Sequence, residues 1–158
     1  MAAMKIVPDV YGVGVQDPDL KLFDVIMELD HGTSYNAYLV RGSDHIALID
    51  TVKEEFAQEY ADNLAEIVAW QEIDYLVVQH AEPDHAGSIR MLLDKVPGLT
   101  IVTNYAAYTF LKAIVNREFK VKFVAHDGEL DLGGKRLRFI GAPLLHWPET
   151  FYSYLVED

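Results

Sequence analysis

Apolar and polar positions along this chain fall into two regimes. Over the first fifty residues short apolar segments alternate with turn residues, the spacing of a meander of strands. Residues 22–29 (LFDVIMEL) read as a mostly apolar strand, and Gly32 marks a turn. Residues 35–41 (YNAYLVR) follow as a second strand, and a turn over residues 42–44 leads into residues 46–50 (IALID). Beyond Thr51 the period lengthens. Residues 54–70 place Phe56, Tyr60, Leu64, Ile67 and Val68 on one helical face. Residues 75–78 (YLVV) form a continuous apolar run, as expected of a strand buried on both faces. A helix over residues 86–96, with Ile89, Leu92, Leu93 and Val96 inward, ends at Pro97 and Gly98. Residues 100–103 predict a short strand. Residues 105–115 predict an amphipathic helix with Phe110, Leu111 and Ile114 as its core residues. Residues 121–124, 129–132 and 136–140 read as strands with turns at Gly128 and at Gly133-Gly134, and residues 152–156 as a last strand.

Strands mixed with strand–helix units predict an α/β class, a sheet covered by helices. At 158 residues the length fits one domain. The sequence stops directly after a strand, with no closing helix. The expectation is therefore a part of a larger domain, or half of a shared one, because an uncovered edge is a liability.

Composition narrows the chemistry. The chain is 51% hydrophobic and 24% charged, ordinary for a globular protein able to bury a core. No apolar stretch reaches the roughly 18 residues of a membrane span, and the first five residues lack a signal-peptide pattern. A cytoplasmic location with no membrane partner is the expectation. A formal net charge of -12 argues against nucleic acid, which requires clustered Lys and Arg. With no cysteine, disulfides, iron–sulfur clusters and thiolate zinc sites are impossible within this chain. Any metal must be held by His, Asp and Glu.

Residues 79–89 (QHAEPDHAGSI) supply such donors. His80, Glu82, Asp84 and His85 fall within six residues, after a buried strand and before a helix. Ligand sites of α/β sheets lie beyond the carboxyl ends of strands, at this kind of turn. In an extended turn residues i and i+2 point the same way, so His80, Glu82 and Asp84 converge, while Asp84 and His85 point apart. Pro83 stiffens the backbone between them. A plain loop in which Asp84 caps the following helix is the simpler reading, but it leaves two histidines and a second carboxylate unexplained. His146 is the second piece. A single His beside Trp147 is often a partly buried residue, but its position after the apolar residues 139–145 makes it a candidate ligand. Asp50 reads either as a strand-end turn residue or as a hydrogen-bonding partner that fixes the metal loop. His31, His45 and His126 lie in polar turns and read as surface residues.

His80-x-Glu82-x-Asp84-His85 resembles the metal motif of the metallo-β-lactamase superfamily in its flavodiiron variant. Hydrolases of that superfamily have a third His where Glu82 stands. His146-Trp147-Pro148-Glu149 resembles the HWP(D/E) segment of the same family. Gly32 through Leu39 (GTSYNAYL) and Leu48 through Thr51 (LIDT) resemble family segments in the same order. The likeness runs from about Val10 onward.

The resemblance implies a metallo-β-lactamase-like αββα sandwich, with residues 1–158 as its incomplete amino-terminal part and no flavodoxin domain present. It implies an oxo- or hydroxo-bridged pair of iron ions that reduces O2 to water or NO to N2O. His80, Glu82 and His146 would hold one iron; Asp84 and His85 would hold the other. It also implies electrons from FMN on a separate flavodoxin-like domain or redox partner, and a homo-oligomer or hetero-complex. The family's bridging Asp and final His lie beyond Asp158, and Asp24 stands where many members carry a His near the substrate pocket. Two other readings remain: a metal-dependent hydrolase attacking through a metal-bound hydroxide, with Glu82 against it, and a non-catalytic fragment or assembly subunit.

Overall fold

The computed structural model describes residues 2–23 and 25–157. In chain order the strands β1 (Met4–Val7), β2 (Val10–Gly12), β3 (Val15–Asp17), β4 (Leu22–Phe23), β5 (Met27–Glu28), β6 (Thr33–Tyr35), β7 (Tyr38–Arg41) and β8 (Ile46–Ile49) precede helix α1 (Ala57–Ala65). Then follow β9 (Ile73–Val77), α2 (Pro83–Ala86), α3 (Ile89–Lys95), β10 (Thr100–Thr103), α4 (Tyr105–Val115) and β11 (Lys120–Phe123). The chain closes with β12 (Glu129–Asp131), β13 (Arg136–Gly141) and β14 (Phe151–Leu155).

Seven strands form the main sheet in the order β1-β2-β7-β8-β9-β10-β11. Its first half is antiparallel, and β8, β9, β10 and β11 run parallel. Crossovers that step one way across a sheet keep one hand, so their helices fall on one face. The core bears this out. Ile46, Leu48, Leu76 and Ile101 pack with Tyr60 and Leu64 of α1, Ile89 and Leu92 of α3, and Leu111 of α4. The alternate residues Ala47, Ile49, Val77 and Val102 face the other way, against Leu130, Leu137, Phe139 and Phe151 of a second, antiparallel sheet β12-β13-β14. Helices, main sheet and second sheet thus stack as three layers. The far face of the second sheet leaves Ile140, Tyr152 and Tyr154 exposed. Among the described residues no helix is long and apolar enough to cross a membrane.

The two sheets are joined at their rim. The turn between β7 and β8 donates Asp44 and His45 N–H groups to the Leu132 carbonyl, and Ser43 N–H to Gly133. Gly42 is required there, because a Cβ would stand 1.9 Å from the Leu132 oxygen.

Several expectations change. The strand over residues 22–29 is instead a two-stranded hairpin of β4 with β5. Val25 takes φ 65, and Val25 and Ile26 are 83% exposed, so apolar character there does not mean burial. The strand over residues 35–41 breaks after Tyr35: β6 pairs with β3, whereas β7 joins the main sheet. The helix over residues 86–96 is split at Gly87 and Ser88. Ser88 Oγ donates to the Val52 carbonyl, and a Cβ on Gly87 would meet Glu54 N at 2.6 Å. Phe110 is half-exposed; Ala107, Leu111 and Val115 form the buried stripe of α4. The small Ala107 lets that helix lie close to the sheet.

Candidate metal centre

Both loops that carry the predicted ligands leave the carboxyl ends of strands. After β9, the chain passes Gln79 and His80, turns at Glu82 (φ -66, ψ 147) and enters α2 with Pro83 at its first position. Proline there has no N–H to leave unsatisfied, so the short helix starts without strain. Helix α2 is held from below, where Thr51 donates both its N–H and its Oγ1–H to the His85 carbonyl at 2.8 Å. The second loop joins β13 to β14. It is closed at its base by Ala142 N–H donating to the Thr150 carbonyl, and internally by Leu144 N–H to the Trp147 carbonyl.

The two loops meet. Glu82 Oε2 lies 2.9 Å from His80 Nε2 and 2.9 Å from His146 Nε2. One ligand-type atom from each of His80, Glu82 and His146 lies within 4.8 Å of the others, a metal-sized cluster. The imidazole rings of His85 and His146 stand 5.2 and 5.3 Å from that of His80. Asp84 and His85 make a second group, with Asp84 Oδ2 3.6 Å from His85 Nε2. Their side chains were expected to point apart; on the single turn of α2 their tips instead approach each other. Asp84 does not cap a helix: the N-cap of α2 is Glu82.

Electrostatics separate the two carboxylates. Burial pushes Glu82 up, but hydrogen bonds from His146 and His80 outweigh it and hold its pKa below the ordinary value. Burial raises Asp84, with only partial relief from His85. Asp84 Oδ1 is buried with no hydrogen-bond partner, as expected of a donor directed at a cation. For His85, burial opposes the charged form, yet the Asp50 hydrogen bond and the charges of Asp50, Asp84 and Glu82 push its pKa up to about 9.

Behind the donors stand two buried carboxylates. Asp50 ends β8 in the left-handed region (φ 56), and its Oδ2 accepts from His85 Nδ1 at 3.0 Å. Asp50 also accepts from Gln79 N–H at 2.7 Å and from Gln79 Nε2 at 3.1 Å. Of its two readings, the geometry favours the partner that fixes the metal loop. Glu149, which composition and spacing did not single out for a role, is 1% exposed; its Oε1 lies 2.8 Å from His80 Nδ1 and accepts from Ala81 N–H at 3.1 Å. The signal available for it is its place at the end of the His146-Trp147-Pro148-Glu149 segment, just before a strand. His31, His45 and His126 lie in surface turns, His45 beside Asp74 at 3.3 Å. Asp24 falls outside the described residues.

The donors are imidazole nitrogens and carboxylates with no sulfur, a set that suits a hard or borderline divalent ion at His80, Glu82 and His146. Beside it lies a cavity of about 160 Å³ lined by Leu20, Leu22, Phe23, Lys53, Glu82, Pro83 and Asp84.

A family model described as ODP family beta lactamase matches residues 33–157. The flavo-diiron protein FprA2 of Clostridium acetobutylicum is 42% identical over 160 residues, covering 100% of this chain and 40% of that protein. Rubredoxin oxygen:oxidoreductase from the anaerobe Desulfovibrio gigas superposes with a TM-score of 0.94 at 32% identity, covering 99% of this chain and 39% of that one. The flavodiiron protein from Giardia intestinalis superposes with a TM-score of 0.93 at 32% identity, covering 100% and 38%. The chain spans about two fifths of the length of these relatives.

Proposed function

The chain belongs to the ODP beta-lactamase family, and from that premise we propose that residues 1–158 are the amino-terminal part of a metallo-β-lactamase-like diiron domain of an oxygen or nitric oxide reductase. The observation that carries this reading is Glu82 Oε2 held 2.9 Å from two imidazole nitrogens that arrive on different loops. His80, Glu82 and His146 would hold one iron; Asp84 and His85 would hold the other. A bridging carboxylate and a final His would come from outside this chain.

When bound, the two irons supply electrons together for reduction of O2 to water or NO to N2O. The chain's own residues prepare for that. His80 and His85 each turn Nδ1 toward a buried carboxylate, which leaves Nε2 facing the centre. Glu82 contributes a charge that hydrogen bonding keeps ionised. Replacing an imidazole by this carboxylate makes the site more anionic and favours iron over zinc. Leu20, Leu22 and Phe23 give the adjoining cavity an apolar wall suited to a diatomic gas. Electrons would come from FMN on a flavodoxin-like domain or redox partner, within a homo-oligomer or hetero-complex in the cytoplasm.

Anaerobic dialysis of the metal-free chain against Fe(II) tests the reading. Bound iron that is lost in the Glu82→Gln variant, together with O2 or NO consumption in the completed protein, is the expected result. Retention of zinc alone with no redox turnover would sink it.

A further inference from the structure

We propose that Glu149 is a positioning residue of this centre: it fixes the imidazole of His80 with Nε2 toward the metal and sets a negative charge behind it. The inference rests on the reading of His80 as a ligand. The Glu149 side chain is 0% exposed. Its described hydrogen-bond partners are His80 Nδ1 and the Ala81 N–H, both on Oε1, while Oε2 is buried with no partner. A carboxylate taken out of water without an Arg or Lys beside it is expensive. A loop that needed only shape would be better served there by an apolar or amide side chain. The expense has a physical return if the charge acts through the imidazole upon a cation on the far side of the ring.

The geometry has that line. Nδ1 of His80 faces Glu149, and Nε2 faces Glu82 and the cluster. A proton held on Nδ1 by the carboxylate leaves the Nε2 lone pair for the metal and makes the ring a stronger donor. The segment that carries Glu149 is pinned: Asn104, which caps α4 by accepting from Ala107 N–H, donates its amide to the Glu149 carbonyl at 2.6 Å. Trp147 packs edge-on against His80 with ring centroids 5.0 Å apart. One loop therefore delivers a ligand, His146, on one side of His80 and a backing charge on the other. Asp50 does the same for His85 from a different strand end, so each group of donors contains one carboxylate-backed imidazole.

The test compares Glu149→Gln, which keeps the shape and an oxygen acceptor but removes the charge, with Glu149→Ala, which removes both. The parent chain and both variants are titrated with Co(II) alone, and anaerobically with Fe(II). The Co(II) d–d spectrum, the midpoint potential of the iron-loaded chain and the downfield imidazole N–H resonance of the metal-free chain are recorded. Metal affinity should fall on the order of 10–100-fold in Glu149→Ala and less in Glu149→Gln. The potential of Glu149→Gln should rise above the parent's, because the lost charge had favoured the ferric state. The N–H resonance should shift in Glu149→Gln and vanish in Glu149→Ala. If Glu149→Ala does not fold, Glu149→Gln alone decides through its potential and N–H shift. A parent that binds metal, with variants indistinguishable from it in affinity, spectrum and potential, overturns the role of Glu149 alone. A parent that binds neither Co(II) nor Fe(II) overturns the metal reading, and this inference with it.

Discussion

Glu82 Oε2 and His146 Nε2 lie 2.9 Å apart although 64 residues separate them in the chain. Glu82 leads into the short helix that follows main-sheet strand β9; His146 sits on the loop between two strands of the second sheet. The centre therefore straddles two layers, and its completeness depends on their docking. His146 is 62% exposed, so it contributes little packing. For His146→Ala we expect Co(II) affinity to fall at least about tenfold, about 1.4 kcal/mol. The thermal midpoint of the metal-free chain should stay within a few degrees. Paired calorimetric titration and thermal scans separate the two effects; a large loss of midpoint would make His146 a structural residue instead.

Asp50 is the opposite case. It is 2% exposed and accepts from the Gln79 N–H, the Gln79 side chain and His85 Nδ1. Asp50→Ala leaves those donors unpaired and puts alanine at φ 56. We expect a stability loss on the order of 1–3 kcal/mol for the lost acceptor. Urea unfolding measures it. A loss under ~1 kcal/mol would mean that the loop is held by other contacts.

The same pair predicts a pH dependence of the metal-free chain. The His85 pKa is raised from 6.5 to about 9. A histidine whose folded pKa lies above its unfolded value stabilises the fold fully below the unfolded pKa, and the contribution is lost as pH rises through the folded one. Stability should accordingly decline between about pH 6.5 and 9, and the decline should flatten in Asp50→Asn. Denaturant midpoints at half-unit pH steps give the slope; parallel slopes in the two proteins would refute the assignment.

Phe139 is 1% exposed and meets Phe151, its neighbour in the second sheet, edge-on at 5.6 Å. Truncation to alanine should cost about 3–5 kcal/mol. Because Phe139 belongs to the core cluster through which the second sheet packs on Ala47, Ile49, Val77 and Val102 of the main sheet, Phe139→Ala should also weaken metal uptake, whereas a truncation on the helix side of comparable cost, such as Leu111→Ala, should not. Equal effects of the two on Co(II) affinity would contradict the layered account.

Elements with a clean period were legible from sequence. The strand over residues 100–103 and the helix over residues 105–115 appear with those bounds, and four donors within six residues marked one loop as a candidate metal site. What could not be read is whatever depends on a distant partner. Glu149 finds His80 from 69 residues away. The exposed Val25 and Ile26 carry the same letters as core residues. The approach of Asp84 to His85 is set by the single helical turn of α2, where the sequence reads as an extended turn with the two side chains apart.

Strand β14 donates from Phe151 N–H to the Gln79 carbonyl and from Ser153 N–H to the Gln79 side chain, directly beside His80. That junction ties the last strand to the loop that carries four of the donors. A chain whose last hairpin has not yet closed onto the sheet lacks His146 and Glu149 together, and offers an arriving ion only part of a cage. Closure of the last hairpin onto the main sheet is therefore the step at which two distant pieces of sequence join the four donors that are already adjacent in the chain.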